Sequence, residues 1–384
     1  MKFRVERDDL ADAVAWVART LPNRPTTQLQ VLAGLLLEAG PAGGLRLSAF
    51  DYEVAARGEI NATVAEEGRT LVSGRLLAEI TRSLPAAAVE LAVEGSRAVL
   101  TCGSARFTLP TLPVEDYPAL PGLPPATGKV GSSAFAAAVG QVAIAAGRDD
   151  TLPVLTGVRI EITGERLTLA ATDRYRLAVR EVPWRPELTD ASGTALVPAR
   201  TLSDAARSMT SAGAEVTLSL GSGPSGEALA GFACGTRETT TRLVDGQFPD
   251  YRRLLPPTSP LYAEVEVASL VEAVKRVSLV AARTSPVLLS FAAGELVLEA
   301  GAGGEAQARE ALPAGFDGPD LSIAFNPGYL LDGLGALESD TVRVGFASAD
   351  DADEAARKPA IFTGKSADDA PDYRYLLMPV RLAS

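Results

Sequence analysis

The chain repeats itself. Leu10, Val14 and Val17 stand at i, i+4 and i+7, the apolar stripe of an amphipathic helix. The stripe recurs as Phe135, Val139, Val142 and as Leu270, Val274, Val277, at offsets of 125 and 135 residues. Each stripe follows a short alternating strand: Phe3-Arg4-Val5, Lys129-Val130 and Val265-Glu266-Val267. Further landmarks keep the same order. Leu45-Arg46-Leu47, Leu167-Thr168-Leu169 and Leu296-Val297-Leu298 read as strands. A second helix is expected after Val72-Ser73-Gly74-Arg75, Val197-Pro198-Ala199-Arg200 and Phe325-Asn326-Pro327-Gly328, with Ser73 as N-cap, Pro198 as first-turn proline, and Asn326-Pro327 as cap and first residue. Asp116-Tyr117, Asp250-Tyr251 and Asp372-Tyr373 close the copies, with tyrosine spacings of 134 and 122. Four correspondences in one order mean triplication.

Each copy holds two amphipathic helices among some eight short strands, an α+β unit with sheet on one face and a helix pair on the other. The expected domains are residues 1–125, 126–258 and 259–384, joined at the proline-rich stretches Leu120-Pro121-Gly122-Leu123-Pro124-Pro125 and Leu255-Pro256-Pro257. The period is too long for a solenoid, and the sheets of such domains can pair edge to edge.

Composition narrows the chemistry. The 384 residues include 36 basic and 48 acidic side chains, a formal charge of −12, and no histidine. That excludes a Ser-His-Asp triad, a Cys-His pair, an imidazole base and a His-bearing zinc site. Two cysteines, Cys102 and Cys234, supply neither a Cys₄ site nor a disulfide framework, and read as small buried apolar residues of a cytoplasmic protein. The acidic surplus argues against nucleic acid coating the whole surface, but leaves room for a local basic patch. No apolar run reaches the ~18 residues of a membrane helix, and the alternating opening reads as strand rather than signal peptide.

The phosphate-binding look-alikes are weak. Gly221-Ser222-Gly223-Pro224-Ser225-Gly226 follows a strand, but the apolar run after it reads as another strand, so a hairpin loop is expected. Gly364-Lys365-Ser366 lacks the upstream glycine of a P-loop, where Pro359 stands. Arg148-Asp149-Asp150 is read as a polar turn ending a helix, although its carboxylates together with Asp173 define the minor alternative of a metal-dependent nucleic-acid hydrolase. No cofactor and no metal are expected.

The second helices say more. Arg75 and Arg82 are seven residues apart, as are Arg200 and Arg207, and the pairs coincide at the repeat offset of 125. Seven residues is nearly two turns, so each pair lies along one helix face, and guanidinium forks suit phosphate. The third copy has Gly328 and Gly335 there, with Lys275-Arg276 on its first helix as possible substitutes. The apolar end Tyr375-Leu376-Leu377-Met378-Pro379-Val380-Arg381-Leu382 either completes a strand or lines a groove, with the strand favoured.

Four segments carry a family resemblance: Met1-Lys2-Phe3-x-Val5-Glu6-Arg7, Ala171-Thr172-Asp173-Arg174-Tyr175-Arg176-Leu177-Ala178-Val179, Leu243-Val244-Asp245-Gly246-Gln247-Phe248-Pro249-Asp250-Tyr251-Arg252-Arg253-Leu254-Leu255-Pro256, and Met378-Pro379-Val380-Arg381-Leu382. Together with the triplicate build, they resemble the bacterial replicative sliding clamp, the beta subunit of the DNA polymerase III holoenzyme, over the whole chain. The resemblance implies three clamp domains in tandem, each with two helices against antiparallel sheets, assembling head to tail as a homodimer ring. Such a ring encircles duplex DNA as a non-catalytic processivity factor. It implies a groove for short linear motifs of polymerase, clamp loader and repair proteins, carried over onto Leu155, Thr172, Arg174, Tyr175, Arg176, Leu177, Pro249, Arg253, Leu254, Leu376, Leu377, Met378, Pro379, Val380, Arg381 and Leu382. Arg174-Tyr175 stands where the family often has Gly-His, and Val380 where Met is common, which implies a bulkier rim and a shallower pocket. Phosphate contacts without base reading would come from Arg24, Arg75, Arg82, Arg148, Arg200, Arg207 and Lys275. The ring contact would pair the strand with Phe107 and Leu109 against the Leu279 and Val280 region of another subunit. A paralogous clamp with altered partner or inhibitor binding is the nearer alternative.

Overall fold

The computed structural model describes the chain except residues 23–26, 41–42, 211–213, 224–225, 257, 282–284, 302–305, 349–350, 366–371 and 382–384. Two compact units divide it: Met1–Ser133 with Trp184–Thr189 and Asp204–Leu243, and Ala134–Pro183 with Asp190–Ser203 and Val244–Ser384. The middle repeat is shared because its two runs of strands pair with different neighbours in sequence. Repeat boundaries and packing boundaries are therefore different things in this chain.

Seven helices stand among the described residues: α1 (Arg7–Val17), α2 (Gly74–Ser83), α3 (Ser132–Ala143), α4 (Ala199–Ser208), α5 (Val267–Val277), α6 (Pro327–Gly335) and α7 (Ala352–Arg357). The first six are two per repeat. The short α7, capped by the Asp351 carboxylate on the Glu354 N–H (2.9 Å), belongs to the third repeat alone. All nine stripe residues are at most 1 % exposed, each buried side chain being worth about 1.5–3 kcal/mol of transfer free energy. Two start signals differ from expectation. Ser73 stands at the N-cap of α2 but makes no capping hydrogen bond, and Pro198 ends the strand Ser192–Pro198, one residue before α4 begins. Asn326 does cap α6, its Oδ1 accepting from the Tyr329 N–H at 3.1 Å, with Pro327 as first residue.

Among the described residues each repeat contributes nine strands, all antiparallel, in one pairing scheme. In the first, Lys2–Val5 lies between Thr63–Glu66 and Val89–Glu94, which leads through Arg97–Cys102 to Ala105–Leu112. A second run joins Gly68–Ser73, Gly34–Ala39, Gly44–Phe50 and Val54–Asn61. The last strand of each run is what joins repeats. In the first unit, Arg237–Arg242 of the second repeat pairs with Val54–Asn61 of the first. In the second unit, Tyr373–Leu377 of the third repeat pairs with Arg176–Pro183 of the second. The remaining two equivalents stay open. Ala308–Pro313 is an edge of a four-stranded sheet, and Ala105–Leu112 meets a second neighbour only at Thr111 and Leu112.

The glycine-rich segment is a hairpin, as expected, between Glu215–Ser222 and Ala228–Cys234, though Pro224 and Ser225 lie outside the described residues. Lys365 is spent on an ion pair with Glu264 at 2.7 Å, and Ser366 lies outside the described residues. Cys102 is buried, whereas Cys234 is only partly so.

Candidate functional site: a cavity beneath a strained hairpin turn

The strands Arg166–Thr172 and Arg176–Pro183 are joined by a turn that the Asp173 carboxylate organises. Its Oδ1 accepts from the N–H groups of Tyr175 (3.0 Å) and Arg176 (3.1 Å), and the Thr172 hydroxyl donates to the Arg176 carbonyl at 2.7 Å. The turn forces Arg174 to φ +82°, a left-handed conformation that costs a non-glycine residue about 1–2 kcal/mol. The first repeat builds the same turn. Asp51 accepts from the Glu53 and Val54 N–H groups at 3.0 and 2.7 Å, and Tyr52 has φ +75°. Asp51 and Asp173 recur at the repeat spacing, a signal in the sequence that the motif reading passed over.

Behind the turn lies Arg176, 5 % exposed. Its Nε donates to Asp173 Oδ2 at 2.9 Å, a terminal nitrogen donates to Asp332 Oδ2 at 2.6 Å, and the guanidinium sits 4.3 Å from the Tyr329 ring centroid. Burial alone would lower its pKa. The hydrogen bonds to Asp332 and Asp173, with Tyr375, raise it instead, so Arg176 stays charged. Asp332 and Tyr329 come from α6, which lies close over Tyr375. A Cβ on Gly333 would run into the Tyr375 ring, and the Tyr375 hydroxyl donates to the Tyr329 carbonyl at 2.8 Å.

Hairpin turn and α6 enclose a cavity of about 570 Å³, lined also by Leu152 and Leu155. Tyr175 stacks on Tyr329 with centroids 6.3 Å apart and planes at 25°, and Arg174 and Arg148 line it as well. Arg148, expected among the phosphate contacts, thus stands in the same cavity as Arg174, Tyr175 and Arg176. Asp149, Asp173, Asn326, Tyr329 and Asp332 line it too, and none was singled out as a groove residue. The helix start at Asn326-Pro327 was the available clue, because it sets Tyr329 and Asp332 one turn apart on α6. The hydrolase alternative finds its aspartates otherwise engaged. Asp149 Oδ1 accepts the N–H and hydroxyl of Thr151, and Asp173 serves the turn. Among the described residues no three acidic or cysteine side chains are grouped to hold a metal.

The remaining groove residues divide by burial. Leu177 and Leu376 belong to an apolar cluster with Phe248 and Tyr251, and Leu377 and Thr172 are buried as well. These four residues, expected in the groove, offer no surface, because their side chains lie on covered sheet faces. Leu254, Met378 and Val380 are exposed, by 53, 39 and 37 %, as are Pro249 and Arg253, the latter paired with Asp250 at 2.7 Å. The Met378 N–H donates to the Tyr175 carbonyl and the Val380 N–H to the Ala324 carbonyl, both at 2.8 Å, so the tail is pinned at two points around Pro379. Arg381 is exposed, and Leu382 lies outside the described residues.

The segment carrying Leu254 is anchored by a buried carboxylate. Glu161 accepts from the Tyr251 hydroxyl at 2.8 Å, from Arg252 at 3.1 Å and from Arg159 at 2.5 Å. Burial would raise the Glu161 pKa, but the hydrogen bonds from Arg252 and Tyr251 hold it below the usual carboxylate range. A depressed folded pKa gives stability that is present above the unfolded value, ~4.3, and lost as pH falls through the folded value. Glu161→Gln is therefore expected to cost about 1–3 kcal/mol at pH 7 in urea titrations. The difference from the parent should shrink as pH drops toward 4. A pH-independent difference would remove the charge from the account.

The other expected contacts are distributed. Arg75 and Arg82 are exposed on α2, Arg75 donating to the Pro22 carbonyl at 2.8 Å. Arg200 and Arg207 are exposed on α4, with Arg207 bonded to Asp204 at 2.6 Å. Lys275 pairs with Glu272 on α5 at 2.8 Å, and Arg24 lies outside the described residues. A basic cleft of about 610 Å³ in the first unit adds Arg19 and Arg237, the latter paired with Asp12. Phe107 is half-buried and Leu109 is 1 % exposed in its own core, since alternate residues of that edge strand face inward. Leu279 is 84 % exposed and Val280 partly so.

Three tandem copies of one two-helix, antiparallel-sheet domain, joined through their end strands, define a protein of the clamp-domain class. The sequence matches, in order, the DNA polymerase III beta subunit N-terminal domain over residues 1–121, the central domain over 129–250 and the C-terminal domain over 252–381. The beta sliding clamp of Streptomyces coelicolor is 56% identical over 386 residues, covering 100% of both chains. The beta sliding clamp homolog GriR of Streptomyces muensis is 44% identical, covering 99% of each. Among solved structures, the Pseudomonas aeruginosa DnaN sliding clamp bound to griselimycin superposes with a TM-score of 0.90 at 28% identity, over 100% of both chains. The Bacillus subtilis DNA polymerase sliding clamp gives 0.89 at 25%, also over 100% of both chains. The chain belongs to the DNA polymerase III beta subunit family.

Proposed function

We propose that two copies of this chain close head to tail into a ring that encircles duplex DNA and slides, tethering polymerase and other partners without itself doing chemistry. The observation that carries this reading is the open pair of strand edges. Two of three equivalent joints are made within the chain, and the halves of the third, Ala308–Pro313 and Ala105–Leu112, have no such partner among the described residues. A head-to-tail contact with a second chain completes both. The first joint supplies the template. It sets Ala56 opposite Thr239, and the repeat maps that pair onto Ala308 opposite Phe107. Arg19, two residues beyond the α1 stripe, lines a cleft with residues 208–210 and 234–237 of the second repeat. Leu279 holds Arg19's place in the third repeat, facing Leu84, Pro85 and Gly103 of a partner subunit.

DNA contact is assigned to Arg24, Arg75, Arg82, Arg200, Arg207 and Lys275, and the peptide groove to the cavity with the Leu254, Met378 and Val380 surface. Protein assembled on closed circular DNA should stay bound through gel filtration and fall off when the circle is cut. Retention after cutting, or metal-dependent cleavage of the DNA that Asp149→Ala abolishes, overturns the reading. Glutamate at Arg75, Arg82, Arg200 and Arg207 together should shorten retention at least tenfold at low salt while leaving the dimer intact, four phosphate contacts being steeply salt-dependent. Unchanged retention would move the DNA surface elsewhere.

A further inference from the structure

We propose that the cavity between the hairpin turn and α6 selects an acidic side chain in the partner peptide, with Arg148 and Arg174 as the residues that select it. This rests on the groove reading above and adds the chemistry of one position in the ligand.

Three arginines and three aspartates line the cavity, so formal charges cancel. What decides its preference is which of them already have partners. Asp173 gives Oδ1 to two backbone N–H groups and Oδ2 to Arg176. Asp332 holds Arg176 from the other side, and Asp149 is turned onto Thr151. The buried guanidinium is thus consumed by the scaffold together with Asp173 and Asp332, whereas Asp149 gives only Oδ1 to Thr151 and feels the charge of Arg174 without forming an ion pair with it. Arg148 and Arg174 are both exposed, and neither makes an ion pair within 4.0 Å with a carboxylate among the described residues. Arg174 lies 5.9 Å from the Tyr175 ring, which with Tyr329 forms an aromatic wall. A carboxylate can accept from either planar fork in the two-bond geometry that a neutral amide cannot match. The methylenes of a glutamate stem would rest on the tyrosine stack. Glutamine fills the same space without the charge, which makes the Glu/Gln pair the discriminating probe.

The test uses a fluorescein-labelled peptide from the clamp-binding segment of the replicative polymerase, in which each Gln is changed to Glu and each Asn to Asp, one at a time. Anisotropy is read with the full-length protein at ~50 mM salt. At one position the acid should bind about fivefold tighter or better. The Arg148→Gln/Arg174→Gln protein should lose that discrimination, binding the acidic and the neutral peptide within about twofold of each other whatever its affinity for the neutral one. Both side chains are exposed, so the variant is expected to fold, which circular dichroism checks. No gain at any position, or a gain that survives in the double variant, overturns the inference and leaves the groove standing. If no peptide binds the parent protein, the groove reading falls, and this inference with it.

Discussion

A Leu279→Asp chain is expected to sediment as a 39.8 kDa monomer at concentrations where the parent chain forms the proposed head-to-tail dimer. Leu279 is 84 % exposed in the subunit, two residues beyond the last buried stripe residue of α5. Within one chain an aspartate there meets only water, so the melting behaviour of the isolated subunit should hardly change. In the dimer the same aspartate would be set against Leu84 and Pro85 beside an edge-strand joint. An uncompensated buried carboxylate costs several kcal/mol, and ~3 kcal/mol is already more than 100-fold in the dimer dissociation constant. Sedimentation equilibrium measures this directly, and retention on closed circles should disappear with the dimer. A variant that remains dimeric would place the subunit contact away from α5.

The second large effect is expected at the other end of the chain. Stopping after Leu377 keeps the strand Tyr373–Leu377, which pairs with Arg176–Pro183 and Ala360–Gly364, so the sheet survives. It removes the two backbone hydrogen bonds that pin the tail and the exposed side chains of Met378 and Val380. Half-exposed apolar side chains held by a fixed backbone are what an extended peptide needs to bury against. Titration calorimetry with the polymerase peptide should show binding weakened by at least 100-fold, about 2.7 kcal/mol. Unchanged affinity would put the groove elsewhere. Met378→Asp should give most of the same loss with the backbone intact.

Much of the fold was legible because it is periodic. The nine stripe residues are spaced by helix geometry, and burial follows from the spacing. Glycine at 328 and 335, breaking the arginine register, is also plain in the sequence. Helix starts were less legible, because local chemistry has competitors. Ser73 has a capping side chain and does not use it, and Pro198 suits either a first turn or the last place in a strand. The candidate site was legible by resemblance in outline and not in composition. Arg148 reads as one more exposed arginine at a helix end. Only the packing of α6, nearly two hundred residues further on, gives it a cavity to line. Leu109 shows the converse case, a residue expected at the ring contact that lies in its own subunit's core. It alternates correctly for an edge strand, but alternation alone does not say which face is the core.

The recurrent joint has a consequence for how such a ring yields. Two joints are tethered through the chain, so their halves meet at an effective concentration that dilution cannot lower. The proposed third joint would repeat that strand pairing between chains, and so would depend on the concentration of free subunits. Diluting the protein would therefore loosen only the proposed seam between chains and leave the sheets of each subunit folded. Opening and denaturation become separate events, the first tuned by abundance and the second by temperature.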